Sequence, residues 1–297
     1  MRQRNHSALS MTGYLYIAPW LAGFLLLTVW PMLQSVYFSF TNYSLLEPAQ
    51  WIGFDNYRRM FMDDSSFVNS LRATLLFVFL SVPLKLGTAL LIAVVLNRKL
   101  KGMHLYRTVI YFPSLIGASV AVAILWNNVF GINGLVNQFL SFFEIEGKNW
   151  IGTPETALGT LIVLAVWQFG SSMVIFLAGL KQIPGEFYEA ASVDGASKLR
   201  TFFMITLPLL SPIILFNLVL QTIGSFQMFT QAFIITRGGP VESTYMYALL
   251  LFDKAFAHFQ MGYASALAWF LLFLIAVVTA VIFATSKAWV HYETEGR

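Results

Sequence analysis

The segment EAASVDGASKLRTFFMITLP, residues 189–208, is a short polar stretch between two long apolar runs. Three acids and two bases lie in it or just before it: Glu186, Glu189, Asp194, Lys198 and Arg200. The two glutamates favour the positively charged start of a helix, and Gly195 can adopt the left-handed conformation that ends one. The segment therefore predicts a short surface helix, a sharp corner and a second helix that leads into Leu207-Pro208.

The apolar runs on both sides of this segment are typical of a membrane protein. Of 297 residues, 58% are hydrophobic and 11% are charged, whereas soluble domains carry roughly 25% charged residues. A spanning helix needs about 20 mostly apolar residues. Six segments meet that requirement: 15–38, 71–96, 109–126, 157–180, 207–235 and 263–284. The sequence predicts an all-α integral membrane protein with six transmembrane helices in a single domain, residues 1–297.

The orientation follows from the basic residues, which accumulate in short cytoplasmic loops. With the N-terminus inside, the cytoplasmic segments hold 11 bases: Arg2, Arg4, Arg98, Lys99, Lys101, Arg107, Lys181, Lys198, Arg200, Lys287 and Arg297. The outer segments hold 5: Arg58, Arg59, Lys148, Arg237 and Lys254. Both termini and the loop 181–208 are therefore predicted to face the cytoplasm.

The two outer loops, residues 41–70 and 127–156, are large enough for a short interfacial helix or a docking surface but too small for a separate domain. We interpret Asp63-Asp64 in the first of them as a solvated pair.

Several site classes are excluded by composition. The chain has no cysteine, and its four histidines are scattered in no ligand spacing, so a metal site is not expected. No basic patch interleaved with aromatic residues is present, which argues against nucleic-acid binding. The sequence also lacks the G-x-x-x-x-G-K-[ST] loop that cradles nucleotide phosphates.

The spacing within 189–208 carries a family resemblance. Glu-Ala-Ala, three residues, Gly, nine residues and Ile-x-Leu-Pro is similar to the cytoplasmic coupling loop of permease subunits in binding-protein-dependent ABC importers. The run Thr236-Arg237-Gly238-Gly239-Pro240, followed by Thr244, resembles the carbohydrate branch of that family, which includes the maltose and glycerol-3-phosphate permeases. A weaker match lies at 51–57, and further agreement comes from 107–113 and 262–266.

The resemblance implies a transport subunit of a bacterial cytoplasmic (inner) membrane, with no enzymatic activity and no cofactor of its own. In the lipid bilayer its partner would be a second, homologous permease, and two ATP-binding subunits on the cytoplasmic side would hold the ATP and magnesium. An extracytoplasmic solute-binding protein would deliver a carbohydrate. The coupling helix, between the fourth and fifth spans, would contact the ATPase through Glu189, Ala190, Ala191, Asp194 and Gly195.

Polar residues at membrane depth predict the substrate path. Asn217, Gln221, Ser225 and Met228 share one face of the fifth span, whereas Gln227 and Gln231 lie at another angle. Gln168 and Ser171 cluster in the fourth span beside Trp167. Amides, hydroxyls and an aromatic plane suit a sugar, although such side chains also join helices by hydrogen bonds.

Lys85 lies within the second span, where an unpaired charge costs about 2.5–3.5 kcal/mol. It is expected either to attract an anionic group of a substrate or to pair with a carbonyl or an acid at a subunit interface. A stand-alone secondary transporter is the alternative function, but it would need coupling acids inside the spans, which contain no Asp or Glu. A membrane enzyme would need clustered acids or histidines at a membrane face.

Overall fold

The computed structural model describes residues 6–98, 102–117 and 119–291, and the regular secondary structure of these residues is helical. The α-helices are α1 His6–Phe24, α2 Trp30–Ser39, α3 Asp55–Met62, α4 Ser65–Leu96, α5 Met103–Ile116, α6 Val120–Phe130, α7 Leu135–Ser141, α8 Pro154–Trp167, α9 Gly170–Leu180, α10 Gly185–Val193, α11 Lys198–Thr201, α12 Leu207–Phe226, α13 Tyr247–Phe252 and α14 Met261–Ser286. Arg2, Arg4, Lys99, Lys101 and Arg297, which support the predicted orientation, lie outside the described residues.

Short π-helical segments lengthen several of these helices. Leu25–Val29 joins α1 to α2, and Phe202–Thr206 joins α11 to α12. Within the described residues, five helical stretches are then long and apolar enough to cross a membrane: Tyr14–Ser39, Ser65–Leu96, Val120–Ser141, Lys198–Phe226 and Met261–Ser286. The pair α8 and α9, bent by 40° at a short break, makes a sixth if it is one span. The predicted all-helical membrane architecture is confirmed at this level.

Three of the predicted spans are interrupted, so the helices do not run continuously through these apolar segments. The span 109–126 breaks after Ile116, where Gly117 adopts φ +58°. The span 157–180 breaks at Gln168-Phe169, and the span 207–235 breaks after Phe226. An apolar run indicates that a segment lies in the membrane. It does not indicate whether the backbone of that segment is helical throughout.

The first two interruptions satisfy each other's backbone groups. The side-chain Nε2 of Gln168 donates to the carbonyl oxygen of Gly117 at 2.9 Å. In return, the Oγ of Ser114 accepts from the backbone N–H of Gly170 at 2.7 Å. Because broken backbone at membrane depth is tolerated only where its polar groups find partners, this exchange explains how both helices can be broken inside apolar runs.

The chain divides into two compact units, of which the first combines Met1–Asp64 with Leu251–Phe270. In it the Nδ2 of Asn56 donates to the carbonyl oxygens of Ser39 at 2.9 Å and Thr41 at 2.8 Å. The side chain of Asp64 is only 8% exposed, lies 3.1 Å from the Nζ of Lys254, and accepts a hydrogen bond from the hydroxyl of Tyr263 at 2.8 Å. The interpretation of Asp64 as solvated was wrong, because a base and a hydroxyl distant in sequence fold against it.

The second unit comprises Ser65–Leu250 and Leu271–Arg297. Its hydrophobic core includes Phe77, Leu161, Met228 and Leu249, and the indole N–H of Trp126 donates to the carbonyl oxygen of Thr160 at 3.0 Å. The core thus packs α4, α6, α8 and the chain after α12 together, which brings their polar positions to one place.

Candidate substrate cavity and coupling helix

A polar cavity of about 310 Å³ lies within the second unit. Its volume is at the lower end of the roughly 300–1,000 Å³ usual for ligand pockets. The lining combines one lysine, four glutamines, small residues and two phenylalanines: Phe77, Lys85, Leu164, Ala165, Gln168, Gln221, Gly224, Ser225, Gln227, Met228, Phe229, Thr230 and Gln231. Two of the helix breaks, at Gln168 and at 227–229, therefore open onto it.

The cavity brings together most of the residues that the sequence predicts for the substrate path. These are Lys85, Gln168, Gln221, Ser225 and Met228, contributed by α4, the break between α8 and α9, and α12 with the chain after it. They span nearly half of the chain, from residue 85 to residue 228, and the fold gathers them around one volume.

Two predicted residues of the path lie elsewhere. Ser171 is exposed and does not line the cavity, because it follows the break at Gln168-Phe169, where the helix changes direction. Asn217 lies one helical turn before Gln221 and is fully buried, and neither atom of its amide has a protein partner among the described residues. Asn217 therefore lies outside the lining of this cavity.

Gln227 and Gln231 line the cavity, contrary to the prediction that they lie at another angle. That prediction assumed one continuous helix with about 100° between successive residues. Since α12 ends at Phe226, the helical period no longer relates these positions to Gln221. The signal in the sequence was compositional: three glutamines within the eleven residues 221–231 of an otherwise apolar run.

The aromatic plane predicted for the sugar is also placed differently. Trp167 packs against Trp126, with ring centroids 5.7 Å apart, and does not line the cavity. Phe229 does line it and is stacked on Phe233 at 5.3 Å. Phe77 also lines the cavity but is only 2% exposed, so Phe229 is the more accessible ring for the apolar face of a ligand.

The surface helix α10 ends as the sequence predicts, with Gly195 at φ +71°. The N–H of Gly195 donates to the carbonyl oxygen of Ser192 at 3.1 Å, and the N–H of Ala196 donates to that of Ala191 at 2.9 Å. This pair of bonds is the Schellman closure of a helix C-terminus. The corner is followed by α11, whose first turn is capped by the Oγ of Ser197.

The exposed side of α10 presents Glu189 and Ala190, and Asp194 and Gly195 are exposed at its end. Ala191 is only 7% exposed, so its side chain packs inward and does not belong to this outer surface. The hydroxyl of Tyr188 lies 3.1 Å from the Oγ1 of Thr206, which ties α10 to the start of α12. This contact joins α10 to the residue that precedes α12, the helix that carries Gln221 and Ser225 of the cavity lining.

The motif at 236–244 forms a compact turn. The Oγ1 of Thr244 lies 2.7 Å from the Oγ1 of Thr236 and 2.6 Å from the carbonyl oxygen of Gly239. Arg237 and Gly238 both have positive φ, and the peptide bond between Gly239 and Pro240 is cis. The spacing of these residues is thus explained by the internal hydrogen bonds of the turn.

Helices of membrane-spanning length, a polar cavity inside an apolar unit and a closed surface helix joined to one cavity helix define a polytopic transport protein. The chain belongs to the family described as "Binding-protein-dependent transport system inner membrane component", which matches residues 64–290. Members of this family are transport permease subunits and not catalytic enzymes.

Named relatives agree with this assignment. The chain is 53% identical over 289 residues to the "Probable ABC transporter permease protein YesP" of Bacillus subtilis (strain 168), covering 96% of this chain and 94% of that protein. It is 36% identical over 274 residues to the "Sulfoquinovosyl glycerol transport system permease protein SmoG" of Agrobacterium fabrum, covering 91% and 89%. The predicted resemblance to sugar permeases of ABC transporters is confirmed.

The fold agrees with that of a solved structure, that of "a bacterial ABC transporter involved in the import of the acidic polysaccharide alginate". The TM-score is 0.84 at 22% sequence identity, with 95% of this chain and 96% of that chain covered. At this identity the likeness shows a shared fold. The chain is thus a multi-pass membrane permease of the ABC importer class.

Proposed function

We propose that this chain is one transmembrane subunit of an ATP-driven importer that passes a carbohydrate from an extracytoplasmic binding protein into the cytoplasm. It acts in the bacterial inner membrane with a second, homologous permease and two ATP-binding subunits. ATP and magnesium belong to those subunits, since this sequence has no phosphate-binding loop.

The observation that carries the proposal is the geometry of α10. A rigid helix, closed by Gly195 and linked through Tyr188 to Thr206, presents an acid at Glu189 on its exposed side. Glu189 pairs with a base of the ATPase, with Ala190, Asp194 and Gly195 beside it. Ala191 supports the helix from its inner side and thereby keeps that surface in place.

The membrane arrangement in this proposal has six spans, with α8 and α9 forming one bent span and both termini in the cytoplasm. The excess of 11 cytoplasmic bases over 5 outer ones supports this orientation. It places α10 on the cytoplasmic side, where the ATP-binding subunits act. Alternating access then follows from rocking of the helices around the cavity when α10 moves.

The cavity supports a carbohydrate as the cargo. Amide groups both donate and accept hydrogen bonds, as sugar hydroxyls do, and four glutamines line the volume. Phe229 offers a ring to the apolar face of a sugar. The relatives of this chain include transport permeases named for lactose and for trehalose/maltose. These names support the same class of substrate.

The test is the ATPase activity of the reconstituted four-subunit complex with its binding protein and candidate sugars. Glu189→Ala is expected to abolish stimulation of ATP hydrolysis because it removes the acid of the coupling surface. Gly195→Pro is expected to do the same, since proline is fixed near φ −65° and has no N–H to donate to Ser192. Glu155→Ala, an exposed glutamate in the first turn of α8, is the matched control and should behave as wild type.

The ATPase activity of each variant is compared with the extent to which its permease pair assembles. If both coupling variants lose stimulated hydrolysis while the permease pair still forms, the proposal stands. Wild-type stimulation in both variants would contradict it. Transport by the purified chain alone would replace it with a stand-alone secondary carrier.

A further inference from the structure

Lys85 is the charged group among the described residues that line the cavity, and a neutral sugar would not balance its charge. It lies on α4 within a membrane-length helix and lines a volume to which no carboxylate contributes. Among the described residues, no acid comes within ion-pairing distance of its Nζ. The spans themselves contain no Asp or Glu, so the charge of Lys85 is not neutralised by its own helical surroundings.

The chemistry of the lining distinguishes Lys85 from its neighbours. Gln221, Gln227 and Gln231 have no side-chain partner among the described residues, so their amides can both donate to and accept from hydroxyl groups. A lysine ammonium carries three donors and no acceptor, and its burial is unfavourable unless a negative group approaches it. The glutamines suffice for hydroxyls, whereas the lysine selects an anion.

The number of charges narrows the class of anion. One lysine balances one negative charge, whereas a phosphate group carries about 1.5–2 charges at neutral pH and would leave an excess in an apolar unit. A carboxylate on a sugar ring supplies a single charge and two acceptor oxygens. It therefore matches the single cation that the described residues of this cavity provide.

We propose that the carbohydrate carried by this permease is acidic, and that Lys85 binds a uronic acid carboxylate while the glutamines bind the hydroxyl groups of the same sugar. The inference rests on the proposed function and adds the substrate class. It assigns Lys85 to specificity, in place of a contact with another subunit.

The experiment measures uptake by host cells in which the chromosomal copy is replaced by wild type, Lys85→Met, Lys85→Arg or Lys287→Met. The probes are oligosaccharides from partial hydrolysis of a uronate-rich polysaccharide, and the same mixture after chemical reduction of every carboxyl group to a primary alcohol. Depletion of each component is followed by mass spectrometry, and membrane content of the chain is measured by immunoblot. Lys287, exposed just beyond α14, controls for loss of one positive charge.

Wild type is expected to take up uronate-containing sugars and to leave the reduced mixture largely untouched. Lys85→Met should slow uptake of the acidic sugars by at least about tenfold, the effect of losing one charged hydrogen bond. Lys85→Arg should retain most of the uptake, and Lys287→Met should match wild type.

Three outcomes overturn the inference. Uptake of reduced sugars only would refute the acidic class while leaving a carbohydrate importer in place. Equal loss of both mixtures in Lys85→Met, or loss of its membrane content that Lys85→Arg shares, would make Lys85 a structural or subunit-contact residue. Uptake of neither mixture by wild type would remove both the acidic class and the carbohydrate assignment.

Discussion

Gly262, in the first turn of α14, is expected to be intolerant of even one methyl group. A Cβ built there would collide with the carbonyl oxygen of Thr41 and lie 3.0 Å from the backbone nitrogen of Tyr43 and 3.1 Å from the carbonyl oxygen of Phe38. All three atoms belong to the backbone, so no side chain can rotate away. The N–H of Gly262 also donates to the carbonyl oxygen of Tyr43 at 2.8 Å, which holds the two segments at this distance.

The expected cost of Gly262→Ala follows from these contacts. Overpacking of this kind costs about 1–3 kcal/mol, and weakening the hydrogen bond to Tyr43 adds about 1 kcal/mol. A loss of about 2–4 kcal/mol corresponds to a fall in Tm of about 3–6 °C for a chain of 297 residues. The assay is thermal unfolding of the assembled, detergent-solubilised complex, followed by the fraction that stays monodisperse after heating.

Gly159→Ala is the matched control, because Gly159 lies inside α8 and a Cβ there meets nothing within 4 Å. In a helix interior that change is neutral or stabilising by about 0.5–1 kcal/mol. The two substitutions add the same methyl group. Gly262→Ala should lower Tm, whereas Gly159→Ala should raise it slightly or leave it unchanged. A Tm for Gly262→Ala equal to that of Gly159→Ala would refute the reasoning.

Two other substitutions test buried polar groups. Lys254→Met removes the ammonium that lies 3.1 Å from Asp64 and should lower the free energy of unfolding by about 2–4 kcal/mol. Adding Asp64→Asn should recover part of the loss, and strict additivity in a double-mutant cycle would contradict a direct interaction. Asn217→Leu removes two buried amide atoms without protein partners among the described residues and should raise stability by about 1–3 kcal/mol. If Asn217 joins the substrate path in another state of the transport cycle, the same substitution should also slow transport. A variant less stable than wild type would show instead that the amide of Asn217 is hydrogen-bonded in the native protein.

The surface helix was predictable because its signals are local. Two early acids, Gly195 and the polar composition of 189–208 lie within the residues that they organise, and the Schellman closure needs only the backbone of the same segment. The helix breaks were not predictable in this way. The carbonyl oxygen of Gly117 is satisfied by the side chain of Gln168, which is 51 residues away in the sequence. The residues close to either break therefore give no sign of this hydrogen bond.

Only part of the cavity lining was predictable from the sequence, because some of its residues depend on where a helix is interrupted. Lys85, Gln168 and Gln221 were found because polar residues at membrane depth are conspicuous in an apolar run. Gln227 and Gln231 were assigned to another face because their angle was counted along a helix that stops at Phe226. Periodicity is reliable within one helix and loses its meaning across an interruption.

The exchange between Gln168 and Gly117 bears on how such a permease could adapt to a new cargo. Gln168 lines the cavity and also holds a main-chain oxygen at a broken helix, so replacing it alters ligand contact and scaffold together. The side chains of Gln221, Gln227 and Gln231 make no hydrogen bond to the main chain among the described residues. Selection for a different sugar can therefore act on those three positions with little penalty to the architecture, while Gln168 is held in place by the fold.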